Sequence, residues 1–217
     1  MHPLYDQFIS YLDTEDKERS VRFILSHLQD KSIDVLALYN EILTPAMYAD
    51  FCPEAEREIC IWKEHVRTSI VRTIIECTYP YIIEERNKKY GPEPKGKAVV
   101  VCPPEELHEL GARIVADFFA LIGFSVTFVG ANTPQADIIN AIKYVNPDYV
   151  AVSITNYYNL VATRRLVLKM RETIKGTPFQ LILGGQACRE NPGACEKIGA
   201  DMVLQTFEEI EKLARGT

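Results

Sequence analysis

The sequence predicts an α/β protein, in which a small four-helix bundle precedes a five-stranded parallel sheet flanked by helices. Three observations predict it. Up to about residue 90 apolar residues recur at spacings of three and four; from Ala98 onward short β-branched runs alternate with helically spaced stretches; between the two, Y-G-P-E-P-K-G-K (90–97) breaks any regular pattern. That segment reads as a linker between a helical domain, residues 1–91, and a sheet domain, residues 95–217.

The first helix is expected from Tyr5 to Leu12. The second follows Thr14 as cap and carries Val21, Phe23, Ile24, Leu25 and Leu28; the third follows Ser32 and carries Val35, Leu36, Leu38, Tyr39 and Ile42. A fourth runs from about Glu54 through Ile59, Trp62, Val66, Ile70, Ile74 and Cys77, with Pro80 expected to kink or end it. Four helices in this length suggest a bundle. The strands are then Ala98 to Cys102, Ser125 to Val129, Tyr149 to Ser153, Phe179 to Leu183 and Met202 to Leu204. Between and after them, helices are expected over Leu107 to Ile122, Pro134 to Val145, Leu160 to Ile174, Arg189 to Ile198 and Phe207 to Ala214. This alternation gives a Rossmann-like, flavodoxin-like sheet domain.

Composition narrows the function. The 217 residues are 47% hydrophobic and 25% charged, ordinary globular usage. Twenty-four Lys and Arg against thirty Asp and Glu leave a net charge of −6 with no basic cluster, so direct nucleic-acid binding is not expected. No apolar run is long enough for a bilayer, and the N-terminus lacks a basic-then-apolar leader, so a cytoplasmic protein without membrane contact is expected. The six cysteines (Cys52, Cys60, Cys77, Cys102, Cys188, Cys195) form no C-x-x-C pair; they read as reduced, mostly buried small hydrophobes, and a zinc site is not expected.

In parallel α/β sheets ligands bind beyond the carboxyl ends of the strands. After the first strand comes Pro103-Pro104-Glu105-Glu106-Leu107-His108-Glu109-Leu110-Gly111. A histidine entering a helix is more often a cap or a surface residue than a ligand. Glu106, two residues away, could however accept from one imidazole nitrogen, fix the tautomer and make the other a better metal ligand. Gly111 permits close backbone approach. The third strand ends in Ser153-Ile154-Thr155 and the fourth in Gly184-Gly185, so hydroxyls and bare backbone line the same edge; singly, each could equally serve local backbone or a turn. No Ser-His-Asp, Cys-His or paired-carboxylate arrangement and no phosphate loop is present, and Pro-Pro after the first strand lacks the glycines of a dinucleotide site, so independent catalysis is not expected.

Taken together the three elements are E-L-H-E-L-G (106–111), S-I-T (153–155) and G-G (184–185), with 41 and 28 residues between them. The set resembles the cobalamin-binding domain family, whose fingerprint is D-x-H-x-x-G, S-x-L and G-G at matching intervals. The resemblance implies that cobalamin, as adenosylcobalamin or methylcobalamin, binds with its own base displaced and His108 as lower axial cobalt ligand. It further implies that Glu106 and Ser153 support His108, and that Gly111, Thr155, Gly184 and Gly185 border the nucleotide-tail channel. Glu106 stands where the family pattern has Asp and Thr155 where it has Leu.

In relatives a four-helix module before this domain caps the upper face of the corrin. The stretches 103–112, 130–134 and 184–187 are most similar to light-sensing, adenosylcobalamin-dependent repressors, whose motif carries Glu. Those repressors place a tryptophan, which shields the adenosyl group, ten positions ahead of the Glu of a Glu-His pair; the histidine can take the upper cobalt position after photolysis. Here Glu64-His65 is present, Glu54 occupies the tryptophan position, and the single tryptophan is Trp62. Trp62 and His65 lie three apart on one helix face. Trp62, Glu64 and His65 are therefore upper-face candidates, with bundle packing the alternative for Trp62 and a solvated charge for Glu64. Only four residues precede the first helix, so the repressors' DNA-binding module is not expected. Three functions follow: a stand-alone cobalamin and light sensor that signals to a protein partner, a corrinoid methyl carrier serving methyltransferases, or a cobalamin storage protein.

Overall fold

In the computed structural model of the chain, which describes residues 2–49, 57–175 and 178–214, Asp16 and Asp34 cap the second and third helices in place of Thr14 and Ser32. The Asp16 side chain accepts from the Arg19 N–H and that of Asp34 from the Ala37 N–H, at 2.9 and 2.7 Å. A charged carboxylate at the positive end of a helix outcompetes a hydroxyl two residues upstream. The start expected near Glu54, and Cys52, lie outside the described residues.

Helix α1 spans Tyr5–Asp13 and α2 Lys17–Gln29. Helix α3, Val35–Ala37, widens through Leu38–Leu43 and continues as α4, Thr44–Tyr48. Helix α5 runs from Arg57 to Tyr90 and carries Pro80 inside it. The proline expected to interrupt this helix removes one main-chain bond but does not end it, because buried Ile74, Ile75 and Ile82 anchor the turns on both sides. The chain divides into two compact units, Met1–Ile82 and Ile83–Thr217. The first unit is built on Phe8, Leu12, Ile24, Leu38, Tyr39, Ile42 and Ile70, all buried. Within it Arg67 donates to the Leu12 carbonyl and pairs with Asp13, neutralising the exposed carbonyl end of α1.

The second unit holds five parallel strands: β1 Lys97–Val101, β2 Ser125–Gly130, β3 Tyr149–Ser153, β4 Gln180–Gly184 and β5 Met202–Val203. Their order across the sheet is β2-β1-β3-β4-β5. Val99, Val101, Val150, Val152, Leu181 and Leu183 are fully or almost fully buried and pack with Ile138, Ile142, Leu166 and Met170 of the flanking helices α7, Gln135–Val145, and α8, Asn159–Thr173. Strands covered on both faces carry just such continuous apolar runs. Among the described residues no helix is long and apolar enough to cross a membrane.

Three expectations are corrected here. Helix α6 spans Leu110–Leu121 and so starts three residues later than expected, which leaves His108 in the loop that leads into it. The helix expected over Arg189 to Ile198 is two short ones, α9 Gln186–Glu190 and α10 Pro192–Glu196, broken at Asn191-Pro192. That break brings the Cα atoms of Cys188 and Cys195 to 5.4 Å, where a continuous helix would hold residues seven apart at about 10.5 Å. The two thiols form a disulfide, and Cys60 is also disulfide-bonded, so reading these three cysteines as reduced is overturned. Cys77 and Cys102 are free. The last helix, α11, spans Phe207–Leu213 behind a reciprocal cap between Thr206 and Glu209.

Candidate functional site at the carboxyl edge of the sheet

The strand order reverses between β1 and β3, because the crossovers from these two strands leave in opposite directions; this is where an open parallel sheet leaves a crevice at its carboxyl edge. The loops leaving β1 and β3 carry Glu106-Leu107-His108 and Ile154-Thr155-Asn156. Glu105 sits at φ 70, and the Glu106 main chain is pinned on both sides, its N–H donating to the Pro103 carbonyl and its carbonyl accepting from the Asn132 N–H.

The Glu106 side chain is fully buried and ties the two loops together. Its Oε2 accepts from the Thr155 N–H at 3.1 Å, the Asn156 N–H at 2.8 Å and the Asn159 side-chain amide at 2.9 Å. Its Oε1 accepts from the His108 N–H at 3.1 Å and lies 2.6 Å from His108 Nδ1. Burial pushes the carboxyl upward in pKa, but the Asn156 N–H, the Asn159 amide and both His108 donors outweigh it and hold it below the ordinary glutamate range. Glu106 is therefore an anion. An anionic carboxylate only accepts, so Nδ1 carries the imidazole proton and the Nε2 lone pair is left available. The His108 side chain is 58% exposed.

Beneath the loop, buried Cys102 donates to the His108 carbonyl at 3.6 Å. Burial, followed by the nearby negative charges of Glu106 and Glu109, pushes that thiol up to about 12, so it stays neutral.

Gly111, in the first turn of α6, faces Ser153: a Cβ on it would lie 3.8 Å from Ser153 Oγ and meet no other protein atom outside its own helix closely. Ser153 ends β3, buried, and is not among the donors to Glu106; the side chain that supports Glu106 after this strand is that of Asn159, at the start of α8. The paired glycines have a different cause from the one their motif suggests. A Cβ on Gly184 would lie 2.5 Å from the Leu204 carbonyl oxygen, and Gly185, at φ +100, would place one 2.4 Å from that of Ile154. The protein's own backbone requires both glycines. Trp62, Glu64 and His65 lie on α5 in the other unit, all exposed, Trp62 by 50%.

Sequence reasoning missed Asn156 and Asn159. The signal available was N-x-x-N directly after a strand, in which Asn156 Oδ1 accepts from the Tyr158 N–H and starts α8.

An exposed imidazole at the switch point, its tautomer fixed by a buried anion, defines a site able to hold a borderline-soft metal centre through nitrogen. The chain belongs to the B12 binding domain family, which matches residues 96–214, and is a cobalamin-binding protein. It is 25% identical over 184 residues to the HTH-type transcriptional repressor CarH of Myxococcus xanthus, covering 82% of this chain and 56% of that one. It is 24% identical over 133 residues to dimethylamine corrinoid protein 1 of Methanosarcina mazei, covering 60% and 61%. The chain spans about half the length of the repressors it matches. Its fold is that of the Methanosarcina barkeri monomethylamine corrinoid protein, at TM-score 0.75 and 16% identity over 97% of this chain and 96% of that one. The available Nε2 over a buried carboxylate fits the cobalt of such a cofactor.

Proposed function

We propose that His108 is the lower axial ligand of cobalamin bound with its own base displaced, and that the protein is an adenosylcobalamin sensor whose output is read by a protein partner. The observation that carries the ligand assignment is the 2.6 Å contact between Glu106 Oε1 and His108 Nδ1, which leaves Nε2 as a donor to metal. When bound, the cofactor supplies a cobalt–carbon bond that light or a nucleophile can break. Glu106 keeps the imidazole oriented and holds its proton on Nδ1. Gly111 and Ser153 leave room between α6 and β3 for the nucleotide tail, and Thr155, Gly184 and Gly185 border it.

The helical unit is proposed as the cap, with residues 1–91 as cap and 95–217 as cofactor domain. Trp62 and His65 share an exposed face of α5 and would meet the upper ligand, with Glu64 beside them. Loss of that ligand changes what the cap rests on, which is the differential interaction a switch requires. The Glu-type motif and Glu64-His65 support the sensor. The end-to-end structural match to a corrinoid protein supports a second reading, a methyl carrier visited by a methyltransferase.

Reconstitution in the dark with adenosylcobalamin and, separately, methylcobalamin, with absorption spectra before and after illumination, separates the two. Preference for the adenosyl form and a photoproduct altered by His65→Ala are expected for the sensor. Equal uptake of both forms with a photoproduct indifferent to His65 contradicts it and favours the carrier.

A further inference from the structure

We propose that Leu107, Tyr157 and Tyr158 form an apolar seat for the underside of the corrin ring around His108. The inference rests on His108 as the cobalt ligand and assigns Leu107, a variable position inside the first motif element, and two tyrosines that lie outside all three elements.

Leu107 is 69% exposed and is covalently next to His108. Tyr157 and Tyr158 are 55% and 83% exposed, and their rings meet edge to face with centroids 6.1 Å apart. Large apolar side chains exposed on the two loops that flank one candidate ligand mark a surface that something covers. Their place on the chain says what covers them. Glu106 joins the two loops that carry them, since Oε1 holds His108 and Oε2 holds the Asn156 N–H, the residue before Tyr157. Consecutive Cα atoms are about 3.8 Å apart, so the Cα atoms of both tyrosines lie within about 12 Å of the carboxylate that orients the imidazole. A planar macrocycle held through His108 Nε2 would be wide enough to reach the residues next to it on both loops.

The main chain beneath the tyrosines is held by its own hydrogen bonds. Asn156 Oδ1 accepts from the Tyr158 N–H, the Asn156 carbonyl accepts from the Asn159 N–H, and the Tyr157 carbonyl accepts from the Leu160 N–H. Tyrosine suits a ring system with an apolar plane and an amide fringe, because its ring buries area while its hydroxyl hydrogen-bonds at the edge. A main chain already fixed beneath the rings lowers the entropy lost when they are covered.

The test compares wild type, Tyr157→Ala/Tyr158→Ala, Tyr158→Ala, Tyr157→Phe/Tyr158→Phe and His108→Ala by absorption titration with cobalamin and with cobinamide, the corrin without its nucleotide tail. The double alanine variant is expected to bind both about tenfold more weakly or worse, the single variant to fall between, and the phenylalanine pair to stay near wild type. Thermal midpoints without cofactor should be unchanged, since both rings are exposed. Wild-type affinities in the alanine variants overturn the seat and leave the tyrosines to a protein partner. An unchanged spectrum and affinity in His108→Ala instead removes the ligand assignment, whatever the tyrosine variants do.

Discussion

Glu106 Oε1 lies 2.6 Å from His108 Nδ1 while Oε2 of the same buried carboxylate takes two main-chain N–H donors from the β3–α8 loop and the side-chain amide of Asn159, the first residue of α8. One anion thus sets the tautomer of the exposed imidazole and locks the loop opposite. An aspartate, one methylene shorter, occupies this position in the family pattern; the longer side chain of Glu106 spans from one loop to the other.

Glu106→Gln tests that double role. Its carbonyl oxygen can keep the donors of Thr155, Asn156 and Asn159, but its amide then faces two His108 donors. The proton is expected to move from Nδ1 to Nε2, weakening cobalamin binding by about 10–100-fold, and the crowded donors cost about 1–3 kcal/mol of stability. Absorption titration and urea unfolding measure the two effects separately.

Acid stability follows from the same residue. The folded carboxyl is held below its ordinary range, so its contribution to stability is complete above that range and is lost as pH falls through the lowered folded value. From neutrality to about pH 3, wild type is expected to lose more stability than Glu106→Gln, in which the group no longer titrates. Parallel losses in the two proteins would show that Glu106 is not held as described.

Asn159→Ala removes one of the three donors on Oε2 while leaving the main-chain pair. A loss of about 1–2 kcal/mol is expected, together with weaker cobalamin binding, because Glu106 gains freedom to rotate away from His108. Asn159→Ser, which can still donate, should recover part of both. Urea melts and cofactor titration decide it.

The glycines separate folding from binding. Gly185→Ala is expected to destabilise the cofactor-free protein by about 3 kcal/mol or more, because the new methyl meets the Ile154 main chain at a positive φ. Gly111→Ala, whose methyl would meet only Ser153 Oγ at van der Waals distance, should leave that stability within about 1 kcal/mol and weaken cobalamin binding instead. Thermal melting without cofactor, then titration with it, distinguishes the two.

How far the sequence reached depends on the range of each signal. The parallel sheet was legible because buried strands write continuous β-branched runs, and Tyr149–Ser153 forms where those runs predicted it. The histidine and the carboxylate, which the structure brings within 2.6 Å of each other, were paired from their place two residues apart after the first strand, and the glycines were assigned to a ligand only through the family resemblance. Asn159 was not, since its contact with Glu106 joins residues 53 apart through a side chain whose type is common in turns. Nor was the Cys188–Cys195 bridge, which depends on a helix break at Asn191-Pro192 that periodicity alone does not register. Pro80 shows the opposite limit: of the two outcomes expected there, a kink or an end, the end is overridden, because packing on both sides carries α5 through.

The most direct test of the central claim is the electron paramagnetic resonance spectrum of the protein loaded with cobalamin in its Co(II) form, after growth with histidine carrying nitrogen-15 in the ring. If His108 Nε2 is the lower ligand, the nitrogen splitting of each cobalt line changes from the triplet of nitrogen-14 to the doublet of nitrogen-15, and His108→Ala abolishes the doublet. A triplet that persists in the labelled protein means that the cofactor's own base still holds the metal, and contradicts the account.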